Sequence, residues 1–315
     1  MKAALCFIIS YEHILQKEQL WIDWIKPNKD IINIYFHYKD INLIKSKWIK
    51  MYTIPPDLIQ QTSYYNVVPA YMSIISYAFH HDKENQWFCL LTDSCVPIIS
   101  PEKFRNLFFS FACATIMRSK PAYWDIRLHR RANLRLFNPE YWLANDPWFT
   151  LCRKHVQQCI LFLVGKHGIY DKINAGGLAN ESMFAIILQT FKELNNDKTY
   201  INESSTLCDW VRMSTPTSPY LFDFLNEENK IIINNLLKQN KYAMFLRKVK
   251  NSVLDDDIKE IWTQNFGHKY IKLYNYSSAY IQIKYIFSKP LFILSLFVLS
   301  LLAALYSLIH YITVK

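Results

Sequence analysis

The sequence predicts an α/β fold, a mostly parallel sheet with helices on both faces, followed by a C-terminal transmembrane helix. Three observations carry this reading. The first half alternates short, nearly continuous apolar runs with amphipathic segments of helical period, the pattern of βαβ units. The 315 residues are 51% apolar and 16% aromatic, enough to fill a large core and too apolar for disorder. Residues 291–309 carry no charge, close to the roughly 20 residues that cross a bilayer.

The elements follow in order. "AALCFIIS" reads as a first strand; it is preceded by one lysine and lacks a small-residue cleavage site, which argues against a signal peptide. "HILQKEQLWIDWI" has helical period, "IINIYFHY" is a strand, "VVPAYMSIISYAFHH" a helix, and "WFCLLT" the next strand. That strand ends on Asp93-Ser94-Cys95. Open α/β sheets bind ligands just beyond the carboxyl ends of their strands, so polar groups there are well placed to meet one; a plain turn is the competing reading.

From about residue 120 the pattern loosens. "RLHRRANLRL" places Arg127, Arg130, Arg131 and Arg135 close together, "DPWFTLCRKHVQQCILFLV" turns helical, and "AGGLANESMFAIILQTFKEL" reads as a helix with Asn180 as its N-cap. A Pro/Ser/Thr loop at 214–219 precedes a helix near 226–239 and the strand-like "YAMFLRKV". Asp255-Asp256-Asp257 matches a two-carboxylate metal motif by letter and reads better as a helix start. The predicted organisation is one domain over 1–270, a linker over 271–289 and a transmembrane helix over 290–312.

The formal charge of +10 admits solvated lysines, an anionic ligand such as a nucleotide diphosphate, a membrane surface or nucleic acid. No GxGxxG or GxxxxGK[ST] follows a strand, so neither glycine-rich phosphate loop accounts for it. The seven cysteines form no CxxC pair and sit mostly in apolar runs, which argues against zinc and suits a reducing compartment.

The order of segments resembles the core-2/I-branching β-1,6-N-acetylglucosaminyltransferase family in a compact, plant-like form. The matching pieces are "AALCFIIS", "IYFHYKD", "FCLLTDSCVPI", "DPWFTLCRKHV", "ANESMFAIILQT", "LCDWVRM" and "FLRKV", in the family's order over most of residues 3–250. The resemblance implies a GT-A type nucleotide-sugar fold and an inverting, metal-independent transfer from a UDP-sugar carrying N-acetylglucosamine or xylose to a glycan or glycoprotein. It implies no cofactor. By position it makes Glu181 the general base and Lys248, with Arg247 beside it, the diphosphate contact; the family's second cationic contact, an upstream arginine, has no clean match in this sequence, and Arg212 and Lys230 are the candidates for it. His37, Asp40 and Asp93 fall where nucleotide contacts are expected, and Trp210, Arg130 and Arg131 on the acceptor side. Asp93 stands alone where a metal site would want two hard oxygen ligands. Secretory members of the family carry an N-terminal anchor and a disulfide framework. This chain shows neither, and two lysines precede the apolar segment against one after it, so the expectation is a C-terminal anchor with a cytoplasmic catalytic domain. Two rival classes stay open: an inactive, membrane-tethered carbohydrate- or partner-binding module on the same fold, and a nucleic-acid-binding protein using the basic stretch, which lacks the usual motifs.

Overall fold

The computed structural model describes residues 1–215 and 218–263. The predicted transmembrane helix at 290–312 and the linker before it lie outside the described residues; among those described, no helix is long and apolar enough to cross a membrane.

The chain opens with β1 (Lys2–Ile8), α1 (Glu18–Ile25), β2 (Ile32–His37), α2 (Lys47–Met51), α3 (Val68–His81) and β3 (Asn85–Thr92). Next come β4 (Val96–Pro97), α4 (Pro101–Phe111), β5 (Thr115–Ile116), β6 (Ser119–Pro121), β7 (Leu143–Asn145), β8 (Thr150–Cys152), α5 (Arg153–Gly165), α6 (His167–Asn174) and α7 (Met183–Thr190). The rest is β9 (Tyr200–Ile201), β10 (Thr206–Cys208), α8 (Glu227–Gln239), β11 (Phe245–Arg247) and α9 (Asp255–Thr263).

Six strands form the main sheet in the order β2-β1-β3-β8-β5-β9. β1 is parallel to both β2 and β3, β8 runs antiparallel to β3 and β5, and β9 is parallel to β5. This mixed α/β architecture with a mostly parallel sheet fits a GT-A-like fold. A smaller sheet, β10-β11-β4, sets β11 parallel to β10.

The two-residue period of β1 divides the core. Ala3, Leu5 and Phe7 face Trp21, Trp24, Phe104 and Phe245 on one side. Ala4, Cys6 and Ile8 face Tyr71, Ile75 and the apolar side of α5 and α7 on the other. Strands buried on both faces must be apolar at every position, which is why they read as unbroken runs. Burying a large side chain such as Phe7 stabilises the fold by about 1.5–3 kcal/mol relative to exposure. All seven cysteines are free, and Cys6, Cys89, Cys95, Cys152 and Cys159 are buried core residues.

Two boundaries depart from the sequence reading. The first helix starts at Glu18, five residues late, because His13 and Lys17 adopt left-handed backbone conformations at φ 54° and 60°. Lys17 is drawn inward to the carbonyl of Val253 and to Asp255. Asn180 is not a helix cap. It sits in a 3₁₀ turn, Ala179–Glu181, separated from α7 by Ser182. Asn145 does the capping from β7: its Nδ2 donates to the Asn180 carbonyl at 2.9 Å and its Oδ1 accepts from the Ala185 amide at 3.1 Å. Asp255-Asp256-Asp257 begins α9, as the helix-start reading has it.

Candidate active site

The carboxyl ends of β1, β3 and β11 converge on a cavity of about 290 Å³. Part of its lining is cationic. Arg247, the last residue of β11, donates from Nε to the Thr92 hydroxyl at 2.9 Å, and its guanidinium lies 3.9 Å from the centroid of the Trp148 ring. Both contacts hold it in one orientation, and an arginine stacked on an indole keeps its edge donors available. Lys248 follows in the cavity wall. Its backbone is fixed on both sides, because its carbonyl accepts from the Phe222 amide at 2.8 Å and the next amide, Val249, donates to the Ser94 carbonyl at 3.1 Å. Burial lowers the Lys248 ammonium from its ordinary range, Arg247 lowers it further, and Asp93 and Glu12 pull it back up.

Asp93 lines the same cavity and accepts from the Ser10 amide at 3.0 Å. It therefore ties the turn after β3 to the turn after β1, while Cys95, two residues on, is fully buried in the core. Among the described residues no group of three or more His, Cys, Asp or Glu side chains is placed to hold a metal ion. Tyr11 and Lys39, just past β1 and β2, also line the cavity; Lys39 Nζ lies 3.9 Å over the Tyr11 ring and donates to the Thr62 carbonyl at 2.7 Å.

Glu181 also lines the cavity. Leu178, left-handed at φ 56°, turns the chain into the 3₁₀ segment that presents it. Gly176 allows that turn to pack against residues 130–133, since a Cβ there would lie 2.2 Å from the Asn133 nitrogen and 2.7 Å from the Arg130 carbonyl oxygen. The Glu181 carboxylate accepts from Arg131 Nη1 at 3.2 Å. Burial raises the carboxyl above its ordinary range, Arg131 draws it down, and Asp146 pushes it up again. Beside it the Asn180 side-chain oxygen is buried without a hydrogen-bond partner and lines the cavity. Trp210, 43% exposed, closes the wall with Ser218 and Pro219.

The structure thus brings together Glu181, Lys248, Arg247, Asp93 and Trp210, with Arg131 behind Glu181. Five sequence candidates are placed elsewhere. His37 is fully buried and does not line the cavity; its Nε2 accepts from the Gln60 amide at 2.9 Å; burial, then Lys39, lower its pKa to about 4, so it is neutral and supports the 60s loop. Asp40 is exposed and accepts from the Asn42 amide in a local turn. Arg130 is exposed and outside the cavity wall. As second cations Arg212 and Lys230 are both already engaged. Arg212 binds Asp209 and Asn229 and stacks on Tyr220, and Lys230 is buried against Asp257 and Glu260. Tyr11, Lys39, Trp148 and Asn180 were not signalled as candidates. Tyr11 was legible by the rule that singles out Asp93, a polar residue one step past an apolar run; Trp148 and Asn180 depend on loop geometry.

Two comparisons bear on this arrangement. The model of the family described as "Branch: Core-2/I-Branching enzyme" matches residues 5–230, which includes Glu181 and ends before Arg247 and Lys248. No curated protein matches the chain.

Proposed function

The chain belongs to the Core-2/I-branching enzyme family, and so to the glycosyltransferases, and on that premise we propose an inverting, metal-independent transfer of N-acetylglucosamine or xylose from a UDP-sugar to an acceptor hydroxyl. The observation that carries this reading is that one cavity is lined both by two cations, Arg247 and Lys248, and by a half-buried carboxylate, Glu181. In a single displacement the acceptor oxygen bonds to the anomeric carbon while the bond from that carbon to the diphosphate breaks. The acceptor proton passes to Glu181, and the bonding pair leaves with the diphosphate. A fixed arginine and a partly desolvated lysine suit the charge that develops on the leaving group, because preorganised cations in a shielded site need no reorganisation as it forms. Their presence supports neutralisation without a metal.

Burial and Arg131 act on Glu181 in opposite directions, which suits a group that must be ionised before reaction and able to take a proton during it. Tyr11 and Lys39 offer a ring face and a cation for the nucleoside end of the donor. The uncharged run at 291–309 supports the further proposal of a C-terminal membrane anchor with the catalytic region on the cytoplasmic side. Protease added to sealed vesicles should then digest the body of the chain, and full protection would exclude that topology.

The test of function is thermal stabilisation of the full chain by a nucleotide panel. A ligand that binds the folded state raises its melting temperature by mass action. UDP should do so more than ADP, GDP or CMP, with chelator making no difference; equal responses would favour the inactive-module reading, and a response that needs manganese would overturn the metal-free one.

A further inference from the structure

Beyond Arg131, the basic stretch has no place in the transfer chemistry. Residues 127–136 carry four arginines and no acid. Among the described residues the arginines in ion pairs are Arg105, Arg118, Arg131 and Arg212. Arg127, Arg130 and Arg135 are exposed and stand outside that set.

Apolar side chains are set among these cations. Leu128 is 78% exposed, the highest value for a large apolar side chain among the described residues, and Leu136 is 59% exposed. The turn that carries Leu128 is pinned. The Asp125 carboxylate accepts from the Arg127 and Leu128 amides at 2.8 and 3.3 Å, and the His129 amide donates to the Asp125 carbonyl at 2.9 Å. A fixed turn therefore displays a leucine between Arg127 and Arg130.

The helix α6 extends this face. It packs on residues 131–136, and its Lys172 carbonyl accepts from Asn133 Nδ2 at 2.7 Å. Ile169 and Lys172, three residues apart and so on one helical face, are both exposed. The acid of this helix, Asp171, pairs with His167 at 2.8 Å. Two tyrosines carry the face to the cavity mouth: Tyr64, which lines the cavity, and Tyr65 are 63% and 61% exposed. The Leu178 amide donates to the Tyr65 carbonyl and the Ala132 amide to the Gly177 carbonyl, both at 3.1 Å. One short turn thus joins the tyrosine loop to the basic loop.

Leucine at a tip, cations around it and tyrosines beside it suit the headgroup region of a bilayer. Aliphatic side chains gain by reaching the acyl boundary, arginine stems follow while their guanidinium groups stay with lipid phosphates, and tyrosine rings favour the interface. A nucleic acid would satisfy the arginines and leave Leu128 and Leu136 in water. We propose that the 127–136 loop, with α6, Tyr64 and Tyr65, docks on a bilayer surface rich in anionic lipid, with Leu128 inserted. Docking of this kind needs no sugar transfer, so it fails or holds independently of the transferase reading.

The test is electron paramagnetic resonance of the full chain in nanodiscs, with a nitroxide at Leu128→Cys or, as a control, at Ser110→Cys. Both are made in a Cys113→Ser background, which removes the exposed cysteine. Ser110 is exposed on α4, which packs on the opposite face of the main sheet from residues 132–134. In discs rich in phosphatidylserine the label at 128 should be relaxed more by oxygen than by an aqueous nickel chelate. In pure phosphatidylcholine, and at 110 in either lipid, the chelate should relax it more. Arg127→Gln combined with Arg135→Gln, both at exposed positions, should lower the ratio of immersed to aqueous label at 128 by about tenfold or more. A label at 128 that stays aqueous with phosphatidylserine overturns the proposal, and equal immersion in phosphatidylcholine overturns its anionic preference. A single-stranded RNA that immobilises the label where phosphatidylserine does not would give the face to nucleic acid instead.

Discussion

The cations that line the cavity are carried by a strand end, and the carboxylate by a turn. Asp93 and Arg247 lie at the ends of β3 and β11, whose registers are set residue by residue by their neighbours. Glu181 and Arg131 come instead from a 3₁₀ turn and a loop that needs Leu178, Ala132 and Asn133 in left-handed conformations, an enforced cost of about 1 kcal/mol or more for each residue other than Asn. A sheet places a group through many shared hydrogen bonds, so no single neighbour matters greatly. A turn places it through a few: Asn145 to the Asn180 carbonyl, Leu178 to the Tyr65 carbonyl, and Ala132 to the Gly177 carbonyl. The placement of the carboxylate should therefore be the more easily broken of the two.

The largest effect should come from the carboxylate itself. Glu181→Gln keeps the shape and the Arg131 contact while removing the base, and should reduce turnover by about 10²- to 10⁴-fold, read as kcat with an unchanged KM for the donor. Next, Gly176→Ala forces a methyl group against backbone atoms of 130–133 that cannot move independently. It should lower stability by about 2–3 kcal/mol in urea unfolding, and at temperatures where the variant remains folded the transfer reaction should suffer more than nucleotide binding.

Removing the charge of Arg131 sharpens the comparison without breaking the loop. Arg131 holds the Glu181 carboxyl down against burial, so Arg131→Gln should raise its pKa, and the acid limb of the kcat/KM profile should move to higher pH. An unmoved limb would mean that another group titrates there. The smallest effect should fall on Glu193, remote from the cavity. Against the upward pull of burial, hydrogen bonds from Lys154, Gln158, Thr199 and His155 hold its carboxyl at about 2. A depressed folded value means that its stabilisation is complete above about pH 4.5 and disappears as pH falls through about 2. Glu193→Gln should thus melt lower than the parent at neutral pH, by a few degrees, with the gap closing on acidification and with turnover unchanged.

The same division governs what could be read from the sequence. β1, β2, β3 and α3 were legible because burial on both sheet faces forces continuous apolar runs and a helix forces its own period. Lys248 and Arg247 came from the resemblance of "FLRKV" to the family's diphosphate-binding segment, and Asp93 from its place at the end of a strand. Where turns decide, the reading failed at the level of geometry. Asn180 looked like a cap because Asn precedes a helical pattern, but the cap comes from Asn145, 35 residues earlier and across the fold. His37 was expected among the nucleotide contacts because it ends the second strand, yet it is fully buried and accepts from the Gln60 amide. The resemblance implies an acceptor-side position for Arg131, while its pairing with Glu181 depends on backbone conformations that no local pattern encodes.

The central claim is that the two kinds of group do separate work, with cations holding the diphosphate and the carboxylate moving the proton. Calorimetric titration of UDP into Lys248→Ala and Glu181→Gln tests it most directly. Removing a charge-assisted contact should weaken UDP binding by about tenfold or more in Lys248→Ala, and Glu181→Gln should bind UDP as the parent chain does. UDP affinity unchanged in Lys248→Ala, or lost in Glu181→Gln, would contradict the account.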